Sequence, residues 1–303
     1  MHYLTRTLLL CWLPVLGFTQ GAPNLPIPPQ GFDAKQTGTP AGAVALISYP
    51  TKDHGQQKAR VYTPPGYSKD KLYPTLYLLH GIGGDENEWY TQGAPHIILD
   101  NLLAKGAVVP MVVVLPNGKM TGNDDFARFA NFEVVLLKEL IPYIEQNFAV
   151  AKDRDHRALA GLSMGGGQSL NFGLGNIDVF AYVGGFSSAP NTIPAGTTVK
   201  DPEAAKRDMK FIFISCGDAD GLLNNSKTYH DWLTSKSIPH MYQVEPGEGH
   251  NFTVWKRSLY NFSQRIFKDA ATGTVPRNPN AQRARFRRPM GSFTLDGRSF
   301  APK

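Results

Sequence analysis

The sequence RALAGLSMGGGQSL, residues 157–170, joins an apolar strand-like run to a helical pattern through a glycine-rich turn. Within it, Gly161–Gly165 matches the pattern G-x-S-x-G with Ser163 at its centre. When this pattern directly follows a strand it forms a nucleophile elbow, a turn so tight that the positions two before and two after the serine must be glycine. The stretch therefore predicts that Ser163 is held in a strained backbone conformation with its hydroxyl exposed.

Short apolar runs and amphipathic segments alternate on both sides of this turn. The continuous apolar runs, typical of strands covered on both faces, are Tyr73–Leu79, Val108–Leu115, Arg157–Leu162, Phe180–Phe186, Lys210–Ser215 and His240–Glu245. The segments with helical spacing are His96–Lys105, Phe132–Phe148, Asn224–Ser235 and Thr253–Lys268, and Pro142 should kink or divide the second of them. The alternation predicts an α/β fold with a mostly parallel central sheet and helices on both faces, and residues 41–65 should add antiparallel edge strands.

The composition, 42 % hydrophobic and 18 % charged over 303 residues, is typical of a globular domain with a sizeable core. We assign this catalytic domain to residues 41–270, after a Pro- and Gly-rich lead-in, residues 22–40, that we expect to be exposed. Residues 1–21 place Arg6 ahead of an apolar run, Leu8–Phe18, that is too short to span a bilayer. This layout predicts a signal peptide and a secreted protein, extracellular or periplasmic, that is not anchored in a membrane.

The net charge of +6 belongs to the C-terminal tail, residues 271–303. That segment contains seven basic residues and a single acidic one, Asp296, so the remainder of the chain is neutral. A neutral body without aromatic residues interleaved among basic ones argues against a nucleic-acid partner. We expect the tail to be extended, or to make a weak contact with an anionic surface.

The two cysteines cannot pair in the mature protein, because Cys11 would leave with the signal peptide. Cys216 ends the apolar run FIFISC, a position that favours a buried structural thiol over a reactive one. The stability of the domain must therefore come from its core.

A serine hydroxyl needs a base to take its proton, and a histidine base needs a carboxylate to fix its tautomer. In elbow-bearing folds the acid and then the histidine follow the serine along the chain. The strand-like run before Cys216 leads into a loop with two candidates for the acid, Asp218 and Asp220, of which we favour Asp220 and expect Asp218 to brace the loop. His250 follows the last strand-like run, and we predict that it is the base.

Ester cleavage also requires backbone donors for the negatively charged tetrahedral oxygen. One donor should be the N–H of Met164, the residue after the nucleophile. The second should come from the loop after an earlier strand, and in LYLLHGIGGDENEWY the best placed N–H is that of Ile82. His80, in the same loop, suits a structural hydrogen bond better than a second base.

Four segments together, LLHGIGGDENEW, GLSMGGGQSL, ISCGDADG and GEGHNFTVWKRSLYNF, resemble the esterase D-related branch of the α/β-hydrolases. The similarity extends from Tyr73 to Phe267 and is greatest to the feruloyl and acetyl xylan esterases of carbohydrate esterase family 1. It implies an α/β-hydrolase fold with Ser163 as nucleophile, His250 as base and Asp220 as acid, thirty positions before the histidine. It also implies Ile82 and Met164 as oxyanion donors.

The resemblance implies esters on plant cell-wall polysaccharide, feruloylated or acetylated xylan or arabinoxylan, as substrates. An aromatic acyl group would need an apolar, aromatic-lined pocket. The aromatic residues available for such a pocket are Trp89, Tyr90, Phe126, Phe129, Phe252 and Trp255. An acetyl esterase would need a smaller pocket, and the sequence leaves the acyl group, the sugar and the oligomeric state open.

We favour a feruloyl esterase that works through an acyl-serine intermediate, without metal or cofactor. The alternatives are an acetyl xylan esterase, a thioesterase of the S-formylglutathione type, a sugar acyltransferase like the secreted mycolyltransferases, and a non-catalytic wall-binding protein. The signal sequence argues against the thioesterase, and the complete triad argues against the binding protein. Because the base works as a neutral imidazole, activity should rise toward neutral or mildly alkaline pH.

Overall fold

The computed structural model describes residues 25–268. The predicted signal peptide, residues 1–21, and the predicted basic tail, residues 271–303, lie outside the described residues. The strands are β1 Ala43–Thr51, β2 Gly55–Thr63, β3 Thr75–Leu79, β4 Val112–Pro116, β5 Arg157–Leu162, β6 Tyr182–Phe186, β7 Phe211–Gly217 and β8 Met241–Glu245.

All eight strands belong to one sheet with the spatial order β1-β2-β4-β3-β5-β6-β7-β8. The hairpin β1–β2 is antiparallel and pairs through β2, also antiparallel, with β4. From β4 to β8 every neighbouring pair is parallel. The predicted α/β fold, with a mostly parallel sheet and antiparallel strands at one edge, is confirmed.

Helices connect the parallel strands. Their bounds are α1 Pro95–Ala104, α2 Asp125–Ala130, α3 Phe132–Val135, α4 Ile141–Asn147, α5 Ser163–Gly175, α6 Ala195–Thr198, α7 Pro202–Asp208, α8 Leu223–Ser235 and α9 Phe252–Ser263. Two single π-helical turns, Trp89–Gly93 and Leu136–Leu140, and a 3-10 turn, Arg154–His156, complete the helical elements. No helix in residues 25–268 combines the length and the apolar character needed to cross a membrane.

The predicted helix over Phe132–Phe148 is divided into the segments α3 and α4, as Pro142 indicated. Helix α3 ends at Val135, a π-helical turn follows, and α4 begins at Ile141. Pro142 lies just after the π-helical turn, and Leu140 and Ile141 keep right-handed helical backbone angles. The π-helical turn therefore accommodates the proline within one continuous helical run.

Two other boundaries differ from the sequence prediction by four residues or more. Strand β4 begins at Val112, later than predicted, because Pro110 has no N–H for a sheet hydrogen bond. Helix α9 ends at Ser263, before the predicted Lys268, and the chain then turns so that Phe267 has a positive φ of 64°. Both ends are therefore set by local backbone chemistry, which the apolar spacing does not report.

The central strands of the sheet, β3 to β7, are buried on both faces, as their continuous apolar runs predict. Along β3, Leu76 and Leu78 belong to one buried apolar layer, and Tyr77 and Leu79 belong to the other. Because side chains alternate across a strand, a strand that is apolar at every position must be covered on both sides. Helices α1 and α9 cover one face, and α4, α5 and α8 cover the other.

The lead-in is held more firmly than the sequence predicts. Leu25 is buried in the layer that also contains α1 and α9. Asn101 in α1 donates from Nδ2 to the carbonyl oxygens of Phe32 at 2.9 Å and Ala34 at 2.8 Å. The expectation of an exposed lead-in is therefore wrong for Leu25, which is buried, and for Phe32, which is partly buried, whereas Ala34 is exposed as predicted.

Helix α5 contacts the sheet through residues that lack a side chain. A Cβ atom at Gly165 would lie 2.4 Å from the carbonyl oxygen of His80 and 2.6 Å from that of Leu79. A Cβ atom at Gly161 would lie 2.5 Å from the carbonyl oxygen of Gly165. Real Cβ contacts are longer than this, so the elbow can close against β3 only with glycine at both positions.

We expect Gly165→Ala to lower the free energy of unfolding by about 1–3 kcal/mol, because the added methyl group would force α5 away from β3. Urea unfolding followed by circular dichroism measures this change. Gly175→Ala in the same helix is the matched control, since a Cβ atom there would meet Thr198 Cγ2 at 3.9 Å, an ordinary contact. Equal destabilisation by the two substitutions would contradict this account of how α5 is seated.

Candidate active site

Ser163 is the first residue of α5, directly after β5, and its φ is 53°. A positive φ is unfavourable for a residue with a side chain, so the strained conformation predicted from the motif is present. The residue is more enclosed than the motif predicts, with 5 % of its surface exposed. Its neighbour across the turn is Gly81, where an added Cβ would lie 3.3 Å from Ser163 Cβ.

His250 links Ser163 to Asp220. Its Nε2 lies 3.0 Å from Ser163 Oγ, and its Nδ1 lies 2.8 Å from Asp220 Oδ2. A carboxylate can only accept, so Nδ1 donates to Asp220, and in the neutral imidazole Nε2 is left to accept the serine proton. The three residues that the sequence singled out therefore form one hydrogen-bonded chain across the carboxyl ends of β5, β7 and β8.

The structure separates the two aspartates that the sequence left as alternatives. Asp220 contacts His250 and also accepts from the N–H of Leu222 at 2.8 Å. Burial alone would raise the pKa of Asp220, but the Leu222 N–H and the His250 imidazole outweigh it and lower that pKa. Asp218 instead accepts from the N–H of Gly247 at 2.7 Å and so braces the loop.

The loop that bears the acid and the loop that bears the histidine are joined by backbone hydrogen bonds. The N–H of Ala219 donates to the carbonyl oxygen of Glu248 at 3.0 Å, and the N–H of Asp218 donates to that of Glu245 at 3.1 Å. Gly217 lies so close to the second loop that an added Cβ would come within 2.0 Å of the Glu248 carbonyl oxygen. The separation of Asp220 and His250 is therefore fixed by contacts between their two loops.

Arg257 in α9 holds the histidine loop from the other side. Its Nη1 lies 3.2 Å from a carboxylate oxygen of Glu245 and 3.2 Å from one of Glu248. Glu248 also accepts from Asn251 Nδ2 at 3.3 Å, and Asn251 Oδ1 caps the start of α9. Sequence reasoning missed Arg257, because the run VWKRSLYNF shows only that a basic residue lies on a helix that follows the histidine.

The loop after β3 forms the opposite wall of the site. Its glycine turn closes with the N–H of Gly84 donating to the carbonyl oxygen of Gly81 at 3.2 Å, and Glu88 Oε2 accepts from the N–H of Gly81 at 2.7 Å. Ile82 lies inside this turn and directly follows Gly81, the residue that adjoins Ser163. Met164 lies in the first turn of α5, where an N–H has no acceptor within the helix. The role of these two N–H groups as oxyanion donors stays a prediction.

His80 lies beneath this loop and is buried. Its Nδ1 is 2.7 Å from the carbonyl oxygen of Gly81 and can only donate to it, while its Nε2 accepts from the N–H of Gly118 at 2.9 Å. Burial lowers the pKa of His80, although the Gly81 carbonyl opposes this. A neutral imidazole with both nitrogens engaged matches the predicted structural role.

The predicted pocket aromatics separate into two groups. Trp255 packs edge-on against the His250 ring with centroids 4.9 Å apart, and Phe252 joins Trp255 to Trp89. Tyr90 lies outside this cluster, where it stacks on His96 at 4.9 Å. Trp255, Phe252 and Trp89 therefore form one aromatic cluster next to the histidine, in which Trp89 is almost fully buried.

The two phenylalanines of α2 differ in exposure. Phe126 is 54 % exposed, whereas Phe129 is fully buried and packs against Met164 and Ala189. Phe129 has no surface to offer a substrate in this structure, because it fills the space between α2 and the elbow. Phe129 therefore lies behind the active site.

Cys216 lies at the end of β7 and is fully buried. Burial, with a further contribution from the charge of Asp220, raises the pKa of this thiol to about 12. It stays protonated and unreactive at neutral pH, in agreement with the structural role expected from the sequence. In the described part of the chain, His, Cys, Asp and Glu side chains form no group of three that could hold a metal ion.

Comparison with protein families shows that residues 54–266 match the family described as "Putative esterase". The endo-1,4-beta-xylanase/feruloyl esterase of Xylanibacter ruminicola is 34 % identical over 256 residues, which cover 81 % of this chain and 34 % of that protein. Endo-1,4-beta-xylanase Y of Acetivibrio thermocellus is 30 % identical over 153 residues, 47 % of this chain and 14 % of that protein. The chain thus spans about a third or less of the length of these curated relatives.

Among solved structures, the CE1 ferulic acid esterase of the anaerobic fungus Anaeromyces mucronatus has a TM-score of 0.73 and 27 % identity. The match covers 82 % of this chain and 98 % of that one. The same enzyme in complex with ferulic acid matches with a TM-score of 0.70 and 26 % identity, over 79 % of this chain and 96 % of that one.

The two aspartates of the β7 loop provide a matched test of the site. We expect Asp220→Asn to lower kcat by about 10³–10⁴-fold, because the amide would favour the wrong tautomer of His250. We expect Asp218→Asn to change kcat by less than about tenfold, since Asp218 contacts only the loop backbone. Steady-state kinetics on a chromogenic ester compare the two variants, and a larger loss for Asp218→Asn would refute the assignment of the acid.

The contacts of Arg257 predict a combined loss of stability and turnover. We expect Arg257→Ala to lower the free energy of unfolding by about 1–3 kcal/mol, because Glu245, almost fully buried, would lose its ion pair. We also expect kcat to fall, since the loop that carries His250 would lose its attachment to α9. Arg257→Lys keeps the charge and should retain more of both, so equal losses in the two variants would argue against the ion pair as the cause.

Proposed function

The chain belongs to the Esterase family, with an α/β-hydrolase fold, and from this premise we propose that it is a secreted serine esterase that hydrolyses feruloyl esters on plant cell-wall polysaccharide. The observation that carries the proposal is the hydrogen-bonded chain from Ser163 through His250 to Asp220. This arrangement makes a hydroxyl nucleophilic at neutral pH without help from another group.

In the first half of the reaction, Ser163 Oγ attacks the ester carbonyl carbon while its proton passes to His250 Nε2. The carbonyl oxygen becomes an oxyanion, which the N–H groups of Ile82 and Met164 stabilise. Asp220, ionised because its pKa is lowered, stabilises the imidazolium. The tetrahedral intermediate then collapses, the bond to the sugar oxygen breaks, and His250 gives its proton to that oxygen.

In the second half, a water molecule attacks the acyl-Ser163 ester and His250 Nε2 takes a proton from it. The second tetrahedral intermediate is stabilised by the same two N–H groups. Its collapse returns the proton to Ser163 Oγ and releases the carboxylic acid. One ester bond and one water molecule are consumed, and the protein returns to its starting state.

The feruloyl group is supported by the aromatic surroundings of His250 and by the named relatives. Trp255 packs against the histidine and Phe252 packs on Trp255, and aromatic side chains favour an aromatic acyl group through stacking and burial. The Xylanibacter relative is named a xylanase/feruloyl esterase, and the Anaeromyces structure is of a ferulic acid esterase. Secretion is supported by residues 1–21, where Arg6 precedes an apolar run.

The decisive test is the substitution of Ser163. We expect the wild-type protein to hydrolyse methyl ferulate faster than it deacetylates acetylated xylan, and Ser163→Ala to lower kcat on ferulate by about 10³-fold or more. Ser169→Ala is the matched control. Ser169 is a buried serine of the same helix whose hydroxyl donates to the carbonyl oxygen of Gly165 at 2.7 Å, and its substitution should leave turnover intact. Initial rates by chromatography of the released acids give both comparisons.

The remaining outcomes separate the alternatives. Faster release of acetate would assign an acetyl xylan esterase with the same mechanism, and acyl transfer to an added sugar would indicate a transferase. Faster cleavage of S-formylglutathione would indicate a thioesterase. Full activity in Ser163→Ala would refute the serine mechanism.

A further inference from the structure

A groove with a volume of about 560 Å³ lies between α2, α5 and α6, outside the contacts described so far. Its floor is α5 from Gln168 to Asn176, and its walls are α2 on one side and the segment 191–200 on the other. The volume is in the range of small-molecule sites. The groove is partly open to solvent, so a ligand longer than the groove can extend beyond it.

Side-chain amides of α5 fix both walls of the groove. Gln168 donates from Nε2 to the carbonyl oxygens of Gly118 at 2.8 Å and Phe129 at 2.7 Å, and so holds α2. Asn171 holds the other wall, because its Nδ2 donates to the carbonyl oxygen of Asn191 at 2.9 Å and its Oδ1 accepts from the N–H of Ile193 at 2.8 Å. The shape of the groove is therefore set before any ligand arrives, which lowers the entropic cost of binding.

The lining is nearly neutral and combines amide, hydroxyl and apolar groups. Its acidic member, Glu133, is engaged with Asn176 Nδ2 at 2.9 Å, and the exposed Lys200 lies at one wall. Phe126 on α2 and Ile193 on the opposite wall are 54 % and 45 % exposed. Exposed apolar side chains flanking polar groups are typical of a binding surface, and the balanced charge disfavours a strongly ionic ligand.

The groove begins next to the catalytic elbow. Asn191 donates from Nδ2 to the carbonyl oxygen of Met164 at 2.8 Å, and the N–H of Ala189 donates to that of Ser163 at 3.0 Å. With a rise of 1.5 Å per residue, Gln168 lies about 8 Å along the helix axis from Ser163, and Asn176 lies about 20 Å from it. A ligand that fills the groove thus extends away from the site of ester cleavage.

We propose that this groove binds neutral sugar units of the polysaccharide that carries the scissile ester. The inference rests on the proposed function, since a polysaccharide ester bound at Ser163 must have its chain continue across the surface. The exposed Thr197 hydroxyl and the partly exposed amides of Asn171 and Asn176 match sugar hydroxyls. Phe126 and Ile193 offer apolar surface to the C–H faces of sugar rings. The groove adds affinity for the polymer and none for a small methyl ester.

Binding is tested with xylohexaose, which has no ester and cannot be cleaved. Gly175→Leu places a side chain in the floor of the groove, at a position where a Cβ meets Thr198 Cγ2 at 3.9 Å. Ile193→Ser removes exposed apolar surface from one wall. We expect each substitution to weaken xylohexaose binding about tenfold or more by calorimetric titration, a loss of about 1.4 kcal/mol.

Leu46→Ser is the matched control, because Leu46 is an exposed apolar residue, 52 % accessible, on edge strand β1. It should bind xylohexaose as the wild-type protein does. On feruloylated xylo-oligosaccharide the two groove variants should lose kcat/KM about tenfold, while all three variants keep the wild-type kcat/KM on methyl ferulate. Should Gly175→Leu fail to fold, Ile193→Ser alone decides the question.

The proposal is overturned if wild-type protein does not bind xylohexaose, or if the groove variants bind it as tightly as Leu46→Ser does. These results are independent of the proposed activity, because no ester is present in the titration. A wild-type protein that binds xylohexaose in the groove but cleaves no feruloyl ester would refute the proposed function and leave the sugar site standing.

Discussion

The close contact of α5 with the end of β3 is the constraint on which the rest of the site depends. Because Gly165 has no side chain, the helix starts directly against the carbonyl oxygens of Leu79 and His80, and Ser163 is forced to a φ of 53°. The same contact brings the loop after β3 alongside the serine. The serine and the loop that contains Ile82, a predicted oxyanion donor, are therefore positioned together by one packing requirement, and Ser163 has a strained backbone as a result.

The acid and the base are positioned by a separate set of contacts. Backbone hydrogen bonds join the loop of Asp220 to the loop of His250, and Arg257 fastens the second loop to α9 through two carboxylates. A buried polar network destabilises a protein when some of its groups lack a partner. Here the charged groups Asp220, Glu245, Glu248 and Arg257 each have one. The site therefore consists of two parts, one built on β3 and β5 and the other on β7 and β8.

The sequence predicted what depends on order and local backbone chemistry. The glycines around Ser163, the alternation of strands and helices, and the positions of Asp220 and His250 after their strands are all local signals. The residues alone did not separate Asp218 from Asp220, because that choice depends on which carboxylate faces an imidazole thirty positions away. The burial of Phe129, the attachment of Phe32 and the role of Arg257 are also contacts between distant segments, which spacing along the chain does not encode.

Different parts of α5 hold the serine and shape the groove. The N-terminal end of the helix carries the serine, and its middle carries the amides that shape the groove, so one helix positions both. Two neighbouring titratable groups carry no charge at neutral pH, because burial keeps the thiol of Cys216 protonated and the imidazole of His80 neutral. Close to the serine, His250 is then the group that takes up and returns a proton in the proposed reaction, while Asp220 stays ionised. Under the proposed sugar site, a substitution along the groove is expected to change polymer binding and to leave ester cleavage unchanged.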